Sequence, residues 1–261
     1  MKSKGLLSVL TYSEKRKDIL FLLDEGPKTL SDIKSYFDVT SPEILPRIKE
    51  MEASNLIYRD DKKYHISPVG KAAASYLRPL VDYLKAVEKY EQFWKEHIID
   101  DIPQHLLERL NDLTECTLFQ DNIENIYESH EHFTQNIANS TKVLGLASIF
   151  IPTYPAFFTS LVENGIPTAL ILTQNVFGKV FTEYQEETRA FMNAENTELY
   201  VIEDAKIAFV TTDYFFSLSL FYKNGTYDPQ KDLVGHSESA LQWGEELFNY
   251  YKEQAKEIKG F

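Results

Sequence analysis

The 261-residue chain has a single cysteine, Cys116. No disulfide can close within it, so its stability must come from buried apolar surface and hydrogen bonding. One lone thiol suits a reducing compartment, and the cytoplasm is the expected location. No stretch approaches about 18 consecutive apolar residues, so no membrane-spanning helix is expected. Met1-Lys2-Ser3-Lys4 followed by Leu6-Leu7-Ser8-Val9-Leu10 begins like a secretion signal, but the charged run Ser13 to Asp18 ends the apolar segment too early. Glycine is scarce and scattered, 10 residues in all. No Gly-rich phosphate loop and no Gly-x-Ser-x-Gly elbow is present, which removes the commonest nucleotide-binding and serine-hydrolase signatures. There is no low-complexity tract and no internal repeat.

Acid is abundant. The formal net charge is −13, but residues 1 to 75 hold 13 Lys and Arg against 11 Asp and Glu, about +2, and the remainder carries about −15. Only the N-terminal part could approach a phosphate backbone without strong repulsion, and its modest basicity points to a dimer reading two half-sites. Aromatics are plentiful, with 17 Phe and 16 Tyr available for large buried contacts. The length accommodates two domains of ordinary size.

The stretch that organises the N-terminal part is Ser41 to Ile66. Ser41 suits a helix cap, Pro42 the first turn, and Glu43 the positive end of the helix dipole. Ile44, Ile48 and Met51 share one apolar face, with Glu43, Arg47, Glu50 and Ser54 expected opposite. Pro46, inside this helix, predicts a kink or a late start. After Asn55 the period turns alternating: Leu56 to Arg59, the charged turn Asp60 to Lys63, then Tyr64 to Ile66, a small hairpin. Upstream, Ser13 to Glu25 reads as a helix stopped by Gly26-Pro27, and Leu30 to Phe37 as a second one capped by Thr29, with Asp38 to Thr40 as the turn. Two helices, a turn, a third helix and a two-stranded wing make a winged helix-turn-helix, whose third helix enters the major groove.

Ser67-Pro68 opens a long helical stretch, Val69 to about Ile98, with Leu77, Leu80, Leu84, Val87 and Trp94 as an apolar seam and Tyr76, Tyr83 and Tyr90 beside it. Pro79 is expected to bend it. The seam fits a linker helix that pairs two subunits; the alternative is that it packs on its own subunit. Beyond Asp101-Ile102-Pro103, helices and strands alternate, including strands Val143 to Ala147, Thr168 to Leu172, Glu198 to Val201, Ile207 to Val210 and Phe215 to Tyr222, and a closing helix Ser237 to Ile258. The expected fold class is therefore α+β and α/β: a winged helix over residues 1–67, a linker helix over 68–100, and an α/β domain over 101–261 with helices on both faces of its sheet. Ligands of open α/β sheets sit at strand carboxyl ends. That rule selects Ser148, Tyr154, Thr173 and Gln174, donors suited to a neutral ligand, although turn and cap roles explain such residues too.

Residues 13 to 66, above all Val39-Thr40-Ser41-Pro42-Glu43-Ile44 through Leu56-Ile57, resemble the winged-helix domain of archaeal transcription regulators. The C-terminal part resembles the methanogen regulatory domain through Lys142-Val143-Leu144-Gly145-Leu146 and Gly165-Ile166-Pro167. That domain is similar to the effector domain of TrmB-like sugar-responsive regulators, whose fold resembles one half of phospholipase D. The resemblance implies a degenerate phospholipase D-like domain. Where the phospholipase signature has His-x-Lys and, after four further residues, Asp, this chain has Asp204, Lys206 and Thr211. Without the imidazole there is no nucleophile. The resemblance thus implies a binding pocket with Asp204 and Lys206 as polar contacts, and no enzyme; exposed charges at a sheet edge account for the pair as well.

The expected DNA contacts are Arg47 to base or phosphate, Lys28, Lys34 and Lys49 to phosphate, Ser41 at the helix start, and Lys62 and Lys63 from the wing. Solvated surface is the alternative for each taken singly. Glu128 and His132 are spaced for two ligands to a metal, which do not make a site, and no cofactor is expected. The expected partners are double-stranded DNA, a second copy of the chain and a small-molecule effector. A phosphodiesterase-like enzyme and a protein-interaction scaffold are the other function classes.

Overall fold

The computed structural model describes residues 5–120 and 133–259. The chain divides into two compact units, Met1–Asp82 and Tyr83–Phe261. The first unit holds α1 (Leu6–Thr11), α2 (Glu14–Asp24), β1 (Lys28–Thr29), α3 (Leu30–Phe37), α4 (Ser41–Ala53), β2 (Ile57–Asp60), β3 (Lys63–Ile66) and the start of α5 (Pro68–Lys89).

Local chemistry explains these boundaries. The Ser13 side chain caps α2 by accepting from the Arg16 amide. Thr29 and Asp32 form a reciprocal capping box at the start of α3. The same Thr29 amide and hydroxyl hold the Asp32 carboxyl below its ordinary pKa. Asp38, Asn55 and Asp61 take left-handed backbone at the three turns, with φ of 48°, 56° and 52°. Two expectations for α4 need correction. Thr40, not Ser41, is at the cap position, and the helix does not start late: it begins at Ser41 and continues to Ala53 with Pro46 inside it. Pro42 and Pro46 are both exposed, so the carbonyl that loses its partner faces solvent.

Ile19, Leu20, Ile33, Ile44, Ile48 and Met51 are fully buried and make the centre of this unit. Arg16 is buried too. Its guanidinium donates to the Val9 carbonyl at 2.5 Å and pairs with Glu50, so one side chain ties α1, α2 and α4 together. The wing gains a strand not expected from sequence, because β1 pairs with β3 in the order β1-β3-β2. Two residues are too short a strand to show a periodicity.

Ser67 starts α5. Its hydroxyl donates to the Asn55 carbonyl at 2.6 Å and accepts from the Gly70 amide at 2.9 Å. Only glycine fits at position 70, since a Cβ there would lie 2.0 Å from the Leu56 carbonyl oxygen. The expected single helix to Ile98 is corrected: α5 ends at Lys89, and a separate α6 (Glu91–Glu96) follows Tyr90. The expected seam is also divided, because each unit takes the apolar residues nearest to it. Leu77 joins the first core, Val87 and Trp94 the second, and only Leu80 and Leu84 stay exposed.

The second unit continues with α7 (Gln104–Leu107), a 3-10 turn (Leu110–Leu113), β4 (Thr117–Gln120), α8 (described over 133–138), β5 (Val143–Ala147), α9 (Tyr154–Glu163), β6 (Thr168–Thr173), α10 (Gln174–Glu183), α11 (Gln185–Asn193), β7 (Thr197–Ile202), β8 (Ile207–Thr212), β9 (Phe216–Phe221), β10 (Tyr227–Gly235), α12 (Glu238–Gln254) and β11 (Lys256–Glu257). One eight-stranded sheet results, in the order β11-β7-β6-β5-β8-β9-β10-β4. β5, β6 and β7 are parallel and the other pairings antiparallel. Trp243, Leu247 and Phe248 of α12 pack with Phe216, Leu218 and Leu220 in one core, and Gly244 lets the helix close on the Phe216 ring, where a Cβ would come within 2.5 Å. Val162, Val176 and Phe191 from α9, α10 and α11 cluster with Leu170, Leu172 and Leu199 in another. Helices on both faces of the sheet are as expected. The expected helix Phe177 to Met192 is two helices meeting at Tyr184.

His97 anchors β10 from inside. Its Nδ1 lies 2.7 Å from the Phe93 carbonyl, its Nε2 lies 3.0 Å from Asp228, and the ring stacks on Tyr222. Both partners of the pair are fully buried.

Gly70→Ala is expected to destabilise the first unit by about 1–3 kcal/mol, the usual cost of overpacking. Denaturant titration of the variant checks this, and an unchanged midpoint would contradict the close approach of α5 to Leu56.

Candidate functional site

Two places concentrate functional chemistry, one in each unit. In the first, Ile44, Ile48 and Met51 turn α4 toward the core. Glu43 and Glu50 flank that face and are taken up by α2: Glu43 pairs with Lys15, which holds its carboxyl below the ordinary value, and Glu50 pairs with Arg16. Arg47 lies on the same flank, half-buried, and donates to the Glu43 carbonyl of its own helix at 2.5 Å. The positions pointing away from the core are Pro42, Pro46, Lys49 and Ala53, all exposed. The expected outward face of Glu43, Arg47, Glu50 and Ser54 is thus rotated by roughly a quarter turn. Lys49 is the cation that α4 presents outward; Arg47 reaches solvent only from the side. Ser41 is the half-buried first residue of the helix.

The wing places Lys62 in its turn and Lys63 at the start of β3, both exposed. Lys28, on β1, sits opposite Tyr64, and Lys34 is half-buried on α3. Sequence reasoning missed Arg59, which is exposed on β2, donates to the Asp61 carbonyl at 3.2 Å and lies over the Tyr64 ring. Its neighbour Tyr58 stacks on His65. The signal was present as a polar-aromatic run beside the turn, on a strand exposed at three of its four positions. Among the described residues, no ion pair involves Lys28, Lys34, Arg47, Lys49, Arg59, Lys62 or Lys63. Their charge stays available.

In the second unit a cavity of about 120 Å³ lies between the sheet and the helices α9, α10 and α11. It exists because its floor is small. Gly145 and Ala147 of β5, Ala208 of β8 and Ser217 and Ser219 of β9 all line it, and Ala208 pairs across with Ser219, which pairs in turn with Asp232 of β10. Larger side chains, among them Leu170, Leu172, Phe158 and Phe191, also line it. Tyr154 and Tyr227 line it too, and burial pushes both phenols above their ordinary pKa, so both stay neutral. Ser219 donates to Asp232.

Of the six expected ligand contacts, Tyr154 lines this cavity; the other five do not. Ser148 donates to the Ile207 carbonyl, Thr173 is buried at the end of β6, and Gln174 is the exposed first residue of α10. Asp204 and Lys206 pair with each other at 2.7 Å before β8, and the Lys206 ammonium faces the Phe221 ring. That pairing satisfies both charges without a ligand. The cavity lies over the face of the sheet, where small side chains leave room, rather than beyond the strand ends.

Two family models match the chain: the N-terminal domain of methanogenesis regulatory protein FilR1 over residues 4–85, and its middle domain over residues 126–254. The chain belongs to the FilR1 family. It is 28% identical over 257 residues to methanogenesis regulatory protein FilR1 of Methanothrix harundinacea, covering 97% of this chain and 58% of that relative. It is also 30% identical over 90 residues to an uncharacterized HTH-type transcriptional regulator of Methanocaldococcus jannaschii, covering 33% of this chain and 78% of that one. Among solved structures, the archaeal chromatin protein TrmBL2 aligns over 97% of both chains, with 14% identity and a TM-score of 0.44. The phospholipase D family member Nuc of Salmonella typhimurium aligns over 56% of this chain and 98% of that one, with 10% identity and a TM-score of 0.42. Superpositions this loose carry over no property.

Other chemistry in this FilR1-family chain is sparse. Among the described residues, no three His, Cys, Asp or Glu side chains converge as metal ligands, and no helix is long and apolar enough to cross a membrane. Glu128 and His132 lie outside the described residues. Cys116 is buried, and burial pushes its thiol up to about 12, against a smaller opposing effect of Lys89. A thiol so held is inert. At about pH 8 the native protein is expected to resist iodoacetamide and to label only on unfolding; fast labelling of the folded chain, followed by mass spectrometry, would contradict the burial. Because the thiol titrates lower in the unfolded chain, near 8.5, it is also expected to reduce stability as pH rises from there toward about 12.

Proposed function

We propose that this chain is a DNA-binding transcription regulator whose second unit senses a small molecule, acting in the cytoplasm where a prokaryotic chromosome lies. The observation that carries the reading is α4: a helix with its apolar face locked into the core and Lys49 pointing away from it, beside a wing bearing Arg59, Lys62 and Lys63. Membership of the FilR1 family and the likeness of the first unit to an HTH-type transcriptional regulator of Methanocaldococcus jannaschii support it. Because the chain spans 58% of the FilR1 relative, regulation of methanogenesis is part of the proposal as well. The chain acts by binding rather than by catalysis: Asp204 and Thr211 stand where a phosphodiesterase would need its His and Asp.

In this reading Lys49 enters the major groove, Lys28 and Lys34 meet phosphates, and Arg59, Lys62 and Lys63 hold the wing to the backbone. Ser41 and Arg47 contact the backbone from the edge of the helix. The acting species is a homodimer on two half-sites. Val69, Tyr76 and Leu80, spaced seven and four residues apart on one face of α5, are 47%, 84% and 52% exposed, which suits a second copy of the chain. A ligand in the second unit would shift the population between dimer geometries that bind DNA differently.

Lys49→Ala is expected to weaken binding to an operator fragment about tenfold and, for a phosphate contact, to lower the salt slope by about one. Fluorescence anisotropy across a salt series measures both, and equal affinity with equal slope would sink the assignment. Leu80→Glu is expected to turn a dimer into a monomer of unchanged helix content in size-exclusion chromatography with light scattering; a variant that stays dimeric removes α5 from the interface.

A further inference from the structure

We infer that the cavity of the second unit takes up a small organic cation, a methylated ammonium group, held against aromatic faces and paired with the Glu187 carboxylate. This deepens the sensing part of the proposed function and rests on it for the effect on DNA; the binding itself belongs to the second unit. It replaces the neutral ligand expected from the sequence, because the cavity is lined by other residues than most of those expected.

Size comes first. The space is about 120 Å³. An apolar cavity of about 150 Å³ takes up benzene, so this one suits a group no larger than one ring, such as a nitrogen carrying several methyls. The hydrogen-bonding groups come next, and most are already engaged. Thr159 donates to the Pro155 and Glu187 carbonyls, and Thr188 to the Tyr184 carbonyl. Ser219 donates to Asp232, and the Tyr227 phenol bonds to Ser219. A ligand with several hydroxyl or N–H groups would bury them with too few partners, which is costly. A fully methylated ammonium asks for no hydrogen bond.

Charge then selects the ligand. Among the described residues, Glu187 is the only Asp, Glu, Lys or Arg that lines the cavity. It lies in the first turn of α11 and is half-buried. Its backbone carbonyl accepts from Thr159, but among the described residues no hydrogen bond or ion pair engages its carboxylate. A carboxylate partly out of water and without a partner is a cost that a cation removes. Phe150, Phe158, Phe177 and Phe191 line the same space, and the faces of such rings attract cations, quaternary ammonium groups above all. The chain beyond residue 75 carries about −15, which draws cations toward it. One cation of the protein stands close by. Lys179 does not line the cavity but lies over the Phe150 ring, its ammonium 4.4 Å from the centroid. That contact shows the ring accepting a cation, and solvent screens the repulsion from this exposed side chain. An anion drawn to Lys179 is the rival occupant.

The test uses tetramethylammonium, with uncharged tert-butanol and anionic pivalate as compact methylated comparisons, in calorimetry and thermal unfolding of the full chain at constant ionic strength. Tetramethylammonium is expected to bind saturably and to raise the melting temperature with its concentration. Its affinity should exceed that of tert-butanol about tenfold, and pivalate should not bind. Glu187→Gln keeps the shape and removes the charge, so it should weaken tetramethylammonium about tenfold and leave tert-butanol unchanged. Ala208→Phe, which fills the floor of the cavity, should abolish binding. Absence of tetramethylammonium binding, equal or tighter binding of tert-butanol or pivalate, or an unaltered affinity in folded Glu187→Gln or Ala208→Phe would each overturn the inference. The comparison of the three probes uses the unsubstituted chain and decides even where a variant does not fold. Because no DNA is present, tetramethylammonium binding by a chain that never retains operator DNA leaves the cavity assigned and defeats only the regulatory reading.

Discussion

The second unit is shaped by the difference between the two faces of one sheet. Along β8 and β9, Ile207, Phe209, Phe216, Leu218 and Leu220 fill one side, and α12 closes on them so tightly that position 244 admits no side chain. The alternate positions Ala208, Ser217 and Ser219 are small. Strand periodicity sends these two sets to opposite faces. One face therefore carries much of the stability, and the helices on the other cannot fill the space above the small residues. The cavity is a consequence of that asymmetry. Within its floor the Ser219 hydroxyl is engaged, because β10 brings Asp232 beside it.

A comparable division of labour holds in the first unit. Arg16 is buried and joined to Val9 and Glu50, and such a side chain is costly unless its donors are satisfied. Satisfying it fixes the rotation of α4, since Glu50 must face α2. With Glu43 likewise held by Lys15, the flank containing Arg47 is turned toward α2, and Lys49 projects outward with Pro42 and Pro46. The two prolines lie on the exposed side of the helix, where a missing amide is tolerated by solvent.

Much of this was legible. The Thr29 cap, the helix Leu30–Phe37 and strand β5 at Val143–Ala147 coincide with the structure, because each rests on signals only a few residues apart. β10 was invisible. Its run Tyr227-Asp228-Pro229-Gln230-Lys231-Asp232 carries charges and a proline and has no alternation, yet it pairs on both sides, with a register shift absorbing the irregular part. Asp228 is accepted inside because His97, distant in sequence, meets it together with the Gln230 amide and the Tyr222 hydroxyl. The candidate ligand residues are placed apart for the same reason. Tyr154 reaches the cavity, while Ser148 and Lys206 are consumed by nearby carbonyl and carboxylate groups.

By itself the sequence determined the winged-helix order of elements, the mixed α/β class, the lack of a disulfide within the chain and the confinement of net positive charge to the N-terminal part. All of these follow from composition, from periodicity or from neighbours within a helical turn. Tertiary structure decided the rotation of α4 and hence which cation faces outward, the sharing of the α5 seam between two cores, and the hollow above β5, β8 and β9. Each of those depends on pairing between residues far apart in the chain, where the free energy of burying one group is set by a partner that local sequence does not name.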